Sequence, residues 1–198
     1  MQDFNVWLFD GFETLDAFGP VEMAGALDEE YLPKCYSFFG GIVKSAQHMR
    51  VDTLPHTAMD TAGILLIPGG LGTRPLLRDS AYISALSQIA KKAPYVLTVC
   101  TGSALLAATG LMDGKRATSN KLVFDWVSTL GGGVTWVRRA RWVKDGKFYT
   151  SSGVSAGMDM TLGFLYDRHG KEAAEAVARY TEYIWNSDSG NDPFADHI

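Results

Sequence analysis

A chain of 198 residues with 46% hydrophobic and 20% charged residues has ordinary globular composition and enough length for one domain with a sizeable core. A net charge of −4 excludes a general polyanion-binding role, and the one basic patch, Arg138-Arg139-Ala140-Arg141, reads as the solvated face of a strand. Two cysteines, Cys35 and Cys100, give neither a disulfide framework nor zinc-type spacing, and no apolar run reaches membrane-spanning length.

In chain order, Phe4 to Phe9 reads as a buried first strand with no signal peptide ahead of it. Leu15, Phe18, Val21, Met23 and Ala26 mark a helix starting near Asp16, with Pro20 in an early turn. Cys35 to Phe39 is a second strand, and short strands are expected around residues 42–46 and 50–54. Gly63 to Ile67 is a continuous apolar run ending in Pro68-Gly69-Gly70, the pattern of a central parallel strand entering a tight loop. Asp79-Ser80 caps a helix with Ile83, Leu86 and Ile89 on one face and Pro94 beyond its end. Tyr95 to Val99 is the next strand, and a helix follows from Thr101 to Thr109.

Asp113-Gly114 is a turn, a helix is expected over residues 121–130, and Gly131-Gly132-Gly133 breaks it. Residues 134–137, 141–144 and 147–150 read as strands, with Asp145-Gly146 a strong hairpin signal between the last two. Helices over about residues 156–168 and 171–185 close a single domain spanning residues 1–186. From Ser187 the sequence is polar and aperiodic, which predicts a flexible tail over residues 187–198. Alternating strands and helices imply an α/β fold with a mainly parallel sheet covered on both faces.

Ligands of such sheets sit beyond the carboxyl ends of the strands, which singles out residues 10–16, 68–74 and 100–102. Cys100 follows an apolar strand and precedes a helix, where free N–H groups and the helix dipole stabilise a thiolate and lower its pKa. A buried structural thiol fits that segment equally well. The Gly69-Gly70-Leu71-Gly72 loop can present bare amides as an oxyanion hole, and it lacks the ending of a phosphate loop. Arg74 suits either an anionic substrate group or plain surface. Asp16 is a candidate N-cap or general acid/base; Glu13 and Glu22 rival it, and spacing does not choose among the three.

Gly153-Val154-Ser155-Ala156-Gly157 matches the serine nucleophile elbow. That reading needs an acid and a histidine on later strands, and only 41 residues follow Gly157. His169 lies near a helix end and His197 in the tail, so the segment reads better as a Gly-rich pocket wall. His48 and His56 lack metal-ligand spacing, and no metal site is expected.

Taken together, Leu15-Asp16-Ala17-Phe18-Gly19-Pro20, Leu66-Ile67-Pro68-Gly69-Gly70, Val99-Cys100-Thr101-Gly102, residues 110–118 and residues 150–159 resemble the ThiJ/PfpI superfamily, which is related to class I glutamine amidotransferases. The resemblance implies a flavodoxin-like three-layer sandwich with a small β-hairpin, usually a homodimer. It implies that Cys100 is the nucleophile and Asp16 its carboxylate partner, with Glu13 and Glu22 left as surface residues. The Gly70, Leu71 and Thr101 amides resemble the oxyanion-binding set, and Arg74, Asn120, Gly153 and Val154 fall at the pocket wall.

Leu-Asp-x-x-Gly-Pro together with Cys-Thr-Gly resembles the isocyanide hydratase branch. The same pair occurs in sensor domains of some AraC-type regulators, whose DNA-binding module has no room in 198 residues. Protease-like members carry a histidine twenty residues after the cysteine, where this chain has Asn120. Asparagine cannot shuttle protons, so Asp16 is left to do so.

The expectation is therefore a cytoplasmic, cofactor-free enzyme acting on a small electrophilic substrate, with no nucleic-acid or membrane partner. Hydration of an isocyanide comes first. A glyoxalase- or deglycase-like reaction on reactive carbonyls and a non-enzymatic redox-responsive protein are the alternatives. All three share the expectation of a depressed Cys100 pKa.

Overall fold

The computed structural model describes residues 1–27 and 29–196. His197, expected in the tail, lies outside the described residues. Among the described residues there are ten strands: β1 Gln2–Trp7, β2 Tyr31–Ser37, β3 Gly41–Lys44, β4 Arg50–Pro55, β5 Ile64–Ile67, β6 Val96–Val99, β7 Arg116–Ala117, β8 Thr135–Trp136, β9 Trp142–Asp145 and β10 Phe148–Ser151. The helices are α1 Thr14–Gly25, α2 Thr73–Leu76, α3 Ser80–Lys92, α4 Gly102–Ala108, α5 Phe124–Ser128, α6 Ala156–His169 and α7 Lys171–Tyr180.

Eight strands form one sheet in the order β3-β4-β2-β1-β5-β6-β10-β9. It is parallel except at its two edge strands, β3 against β4 and β9 against β10. Ile64, Leu65, Leu66 and Ile67 are all fully buried, as a central parallel strand requires. The helices α1, α6 and α7 pack together as one group, and α2 and α3 pack on α4 as another. This is the flavodoxin-like sandwich the sequence points to, and the Asp145-Gly146 turn does join β9 to β10 as a hairpin.

Several elements depart from the expectation. Helix α1 starts at Thr14, so Asp16 sits in its first turn, not at its cap, and Pro20 lies mid-helix. Proline has no N–H, so the helical bond that would close on the Asp16 carbonyl is missing. The expected helix over 121–130 shrinks to a 3-10 turn at Lys121–Val123 and the short α5. The Asn120 side chain caps the Leu122 amide, and the Ser128 and Thr129 hydroxyls bond back three residues, which competes with the helical ladder. β8 leaves the main sheet and pairs with β7, a strand too short for any periodicity to show. α7 stops at Tyr180, because the Thr181 hydroxyl bonds back to Val177 and Glu182 adopts a φ of 50°.

The segment from Ser187 to Asp196 is docked, not loose. The Ser189 carbonyl accepts from the Arg141 and Trp142 amides at 2.8 and 3.3 Å, the Asp192 amide donates to the Arg139 carbonyl at 2.7 Å, and Asp192 is 2% exposed. The arginine patch is correspondingly not one solvated face. Arg138 and Arg139 pair with Asp125 and Asp196 near the surface, but Arg141 is buried against Asp159 and Asp192.

Candidate active site

The chain leaves β1 toward β2 on one side and returns to β5 on the other, so the sheet's topological switch point lies between β1 and β5. The segments that follow β1, β5, β6, β7 and β10 converge beyond the carboxyl ends of the strands near this point.

Cys100 directly follows β6 and adopts a φ of 58°, a left-handed conformation that costs a non-glycine residue on the order of 1–3 kcal/mol. The surroundings hold it there. Its amide donates to the Ser152 and Ser151 carbonyls at 3.1 and 3.3 Å, at the end of the neighbouring β10. Its carbonyl accepts from the Ser103 and Ser119 hydroxyls, each at 2.9 Å. The thiol meets the Asn120 and Asp16 side chains, and the residue is 6% exposed.

Asp16 reaches the thiol from α1 and is fully buried. The Gly69 amide donates to its Oδ2 at 2.9 Å, while its Oδ1 has no hydrogen-bond partner among the described residues. Gly69 has to be glycine, since a Cβ there would lie 2.6 Å from the Thr101 nitrogen and 2.8 Å from the Cys100 Cβ. Burial pushes the Asp16 carboxyl up to about 7; the Glu13 charge pushes the same way, and the Gly69 amide, the Cys100 thiol and the Val154 amide pull it back.

Burial also pushes the Cys100 thiol up, and the Asp16 charge adds to it. The Thr101 amide and hydroxyl and the Asn120 side chain, all favouring the thiolate, do not overcome the two. The expected depressed thiol pKa is thus reversed: α4 is a seven-residue helix with a weak terminal field, and desolvation in a sealed site outweighs it.

Asn120 proves more than a wall. Its Nδ2 donates to the Cys100 sulfur at 3.2 Å, while its Oδ1 accepts from the Leu122 amide at 2.8 Å. That second bond fixes which end of the amide faces the sulfur. Gly153 makes room for it, since a Cβ there would lie 2.5 Å from Asn120 Nδ2. Val154, next in the chain, adopts a φ of 45°, rarer still for a β-branched residue, and its amide is turned toward Asp16.

Of the expected oxyanion donors, Thr101 lies at the sulfur, whereas the Gly70 amide is engaged by the Thr101 hydroxyl at 3.0 Å. Leu71 is exposed. Arg74 is exposed on α2 with its guanidinium 5.4 Å over the Trp126 ring, and is not among the hydrogen-bond partners of Cys100 or Asp16. Glu22 is exposed, but Glu13 is not a bystander: its amide donates to the Gly69 carbonyl at 2.9 Å and its charge bears on Asp16. Ser155 adopts an ordinary helical φ of −64°, and its hydroxyl accepts from Arg141 at 3.1 Å.

Sequence reasoning missed Ser119 and the buried charges Lys121, Arg141, Asp159 and Asp192, since nothing in their spacing marks them. Among the described residues, no three His, Cys, Asp or Glu side chains group as a metal site, and no helix is long and apolar enough to cross a membrane.

Residues 4–166 match the DJ-1/PfpI family. The chain is 30% identical to an isonitrile hydratase of Pseudomonas putida over 176 residues, which is 89% of this chain and 76% of that protein. A ThiJ/PfpI family protein from Pseudomonas syringae superposes with a TM-score of 0.84 at 26% identity, covering 92% of this chain and 75% of that one. Drosophila melanogaster DJ-1beta, at 21% identity and a TM-score of 0.77 over 93% of this chain and 99% of its own, shares the fold.

Proposed function

The chain belongs to the DJ-1/PfpI family, and from that premise we propose that it is a cysteine-dependent hydratase converting an isocyanide to an N-substituted formamide. The observation that carries the reading is the pairing of Cys100 with a carboxyl that burial pushes up to about 7, with Asn120 in place of a histidine at the sulfur. A group poised near neutral pH can both take and give a proton within one cycle. The 6% exposure of Cys100 favours a slender terminal carbon over a bulky electrophile and counts against a thiol built for easy oxidation. Similarity to an isonitrile hydratase supports the same reaction.

Asp16 takes the thiol proton as the sulfur attacks the terminal carbon, forming the C–S bond. The same carboxyl returns the proton to that carbon, giving a thioimidate. Water then adds across the C=N bond: its oxygen goes to carbon, and Asp16 takes one proton from it and passes that proton to the nitrogen. Collapse of the adduct breaks the C–S bond, and Asp16 moves the adduct's hydroxyl proton to the departing sulfur, which releases the formamide and restores the thiol, so one isocyanide and one water give one formamide. Asn120 and Thr101 donate to the sulfur when it leaves as thiolate. No cofactor enters this scheme, and a cytoplasmic homodimer acting on a small electrophile is the corresponding picture.

The test is to incubate the protein with an alkyl isocyanide and follow formamide. Equal rates for the native chain and Cys100→Ala sink the proposal. Lactate formation from methylglyoxal, with no formamide and lost in Cys100→Ala, assigns the thiol to reactive carbonyls instead.

A further inference from the structure

Four buried charges lie behind the site: Lys121, Arg141, Asp159 and Asp192. Lys121 is the residue after Asn120. Its Nζ donates to Thr118 Oγ1 at 2.9 Å, to the Ala140 carbonyl at 2.8 Å and to the Ser119 carbonyl at 3.2 Å, and lies 3.6 Å from Asp192 Oδ2. The ammonium therefore ties together the short loop whose Ser119 holds the Cys100 carbonyl and whose Asn120 touches its sulfur.

Arg141 serves the opposite wall. It donates to Asp159 Oδ2 at 2.9 Å and to Ser155 Oγ at 3.1 Å, and lies 3.6 Å from Asp192 Oδ1. Ser155 follows Val154, whose amide is turned toward Asp16. Asp192 is thus the one residue of this cluster that faces both cations, and it comes from the C-terminal segment, which no motif places near the site. A buried cation without its counter-ion is costly, so Lys121 depends on Asp192 to remain charged where it is.

We propose that Asp192 is a positioning residue for the Cys100 thiol, acting through Lys121 to hold Asn120 against the sulfur. The proposal rests on Cys100 as nucleophile but not on the identity of the electrophile. Burial pushes Lys121 down to about 8 while the Asp192 charge pushes it back up, in line with an ammonium that needs this carboxylate.

The experiment is the pH profile of Cys100 alkylation by iodoacetamide, read site by site by mass spectrometry, with Cys35 as internal control. It compares the native chain, Asp192→Asn, Asn120→Ala and the double variant. Asn120→Ala removes the donor to the sulfur and is expected to raise the Cys100 midpoint by about one pH unit. Asp192→Asn should raise it similarly, the double variant no further, and Cys35 should not move. The charge-neutral pair Lys121→Met with Asp192→Asn leaves no unpaired buried cation, and it takes the place of Asp192→Asn if the single variant does not fold. A native Cys100 profile in either folded variant, shifts that add in the double variant, or an equal shift at Cys35 overturns the proposal. Because iodoacetamide replaces the isocyanide, absence of formamide with this coupling intact refutes only the substrate assignment.

Discussion

The turn after β6 and the turn after β10 lie on neighbouring parallel strands, and each leads into a helix. Each also holds one non-glycine residue in the left-handed region, so by local sequence and strain they look alike. They differ in which residue carries the strain. After β6 it falls on Cys100 itself, which swings the thiol toward Asp16 and Asn120. After β10 it falls on Val154, which swings an amide toward Asp16 and leaves Ser155 in ordinary helical geometry, its hydroxyl engaged by Arg141. With Cys100 as the proposed nucleophile, a string of small residues around a Ser or Cys is not enough to make an elbow. An elbow needs the positive φ on the reactive residue and a proton acceptor opposite.

The sharpest way to break this comparison is to remove each candidate nucleophile. Cys100→Ala should lower formamide production from an alkyl isocyanide by about 10³-fold or more, whereas Ser155→Ala should stay within about threefold of the native rate. Comparable losses in both variants would erase the distinction between the turns.

Next in size is Asp16→Asn, which keeps the acceptor for the Gly69 amide but cannot exchange a proton. Turnover should fall about 10²- to 10⁴-fold. The same variant carries a stability signature. The carboxyl is raised from 3.8 to about 7 on folding, so across that window the folded chain keeps a proton that the unfolded chain has released. Stability conferred by the protonated form is fully present at low pH, falls as pH rises through the window, and levels off above it. Thermal unfolding from pH 4 to 8 should show this decline in the native chain relative to Asp16→Asn; parallel curves would place the Asp16 titration elsewhere.

Gly153→Ala probes how the second turn serves the first. The new Cβ would press on Asn120 Nδ2 and move it off the sulfur, so turnover should drop about tenfold with little change in Tm. Kinetics unchanged from the native chain would show that the Asn120 contact does not matter to the reaction. The smallest effect belongs to Ser155→Ala in unfolding experiments. Loss of one hydrogen bond to Arg141 should cost about 1 kcal/mol, read as a shift in the denaturant midpoint at constant m.

Much of the architecture is legible in the chain. The apolar runs Ile64–Ile67 and Val96–Val99 announce central parallel strands because burial on both faces leaves no polar position in the first and one threonine in the second. The Asp145-Gly146 turn and the amphipathic α3 follow equally local rules. The helix expected over 121–130, the pairing of β8 with β7 and the end of α7 were not legible. Each is settled by side-chain bonds to the backbone or by a strand only two residues long, where no periodicity can develop.

At the site, the order of residue types from Asp16 through Gly69-Gly70 to Cys100-Thr101 can be read directly, because each follows a core strand or opens a helix. Its electrostatics cannot. A thiol at a helix start suggests a lowered pKa, and burial together with the Asp16 charge reverses the sign. Nor does spacing show that Asn120 donates to the sulfur, that Glu13 bears on Asp16, or that Asp192 lies buried against Lys121 and Arg141. Sequence by itself determined the parallel α/β sandwich and the family, since strand burial and turn chemistry are local properties. Tertiary structure alone decided which side chains face the sulfur, how far Asp16 and Cys100 are desolvated, and that Asp192 reaches Lys121 and Arg141. Those depend on groups distant in the chain sharing a space closed to water.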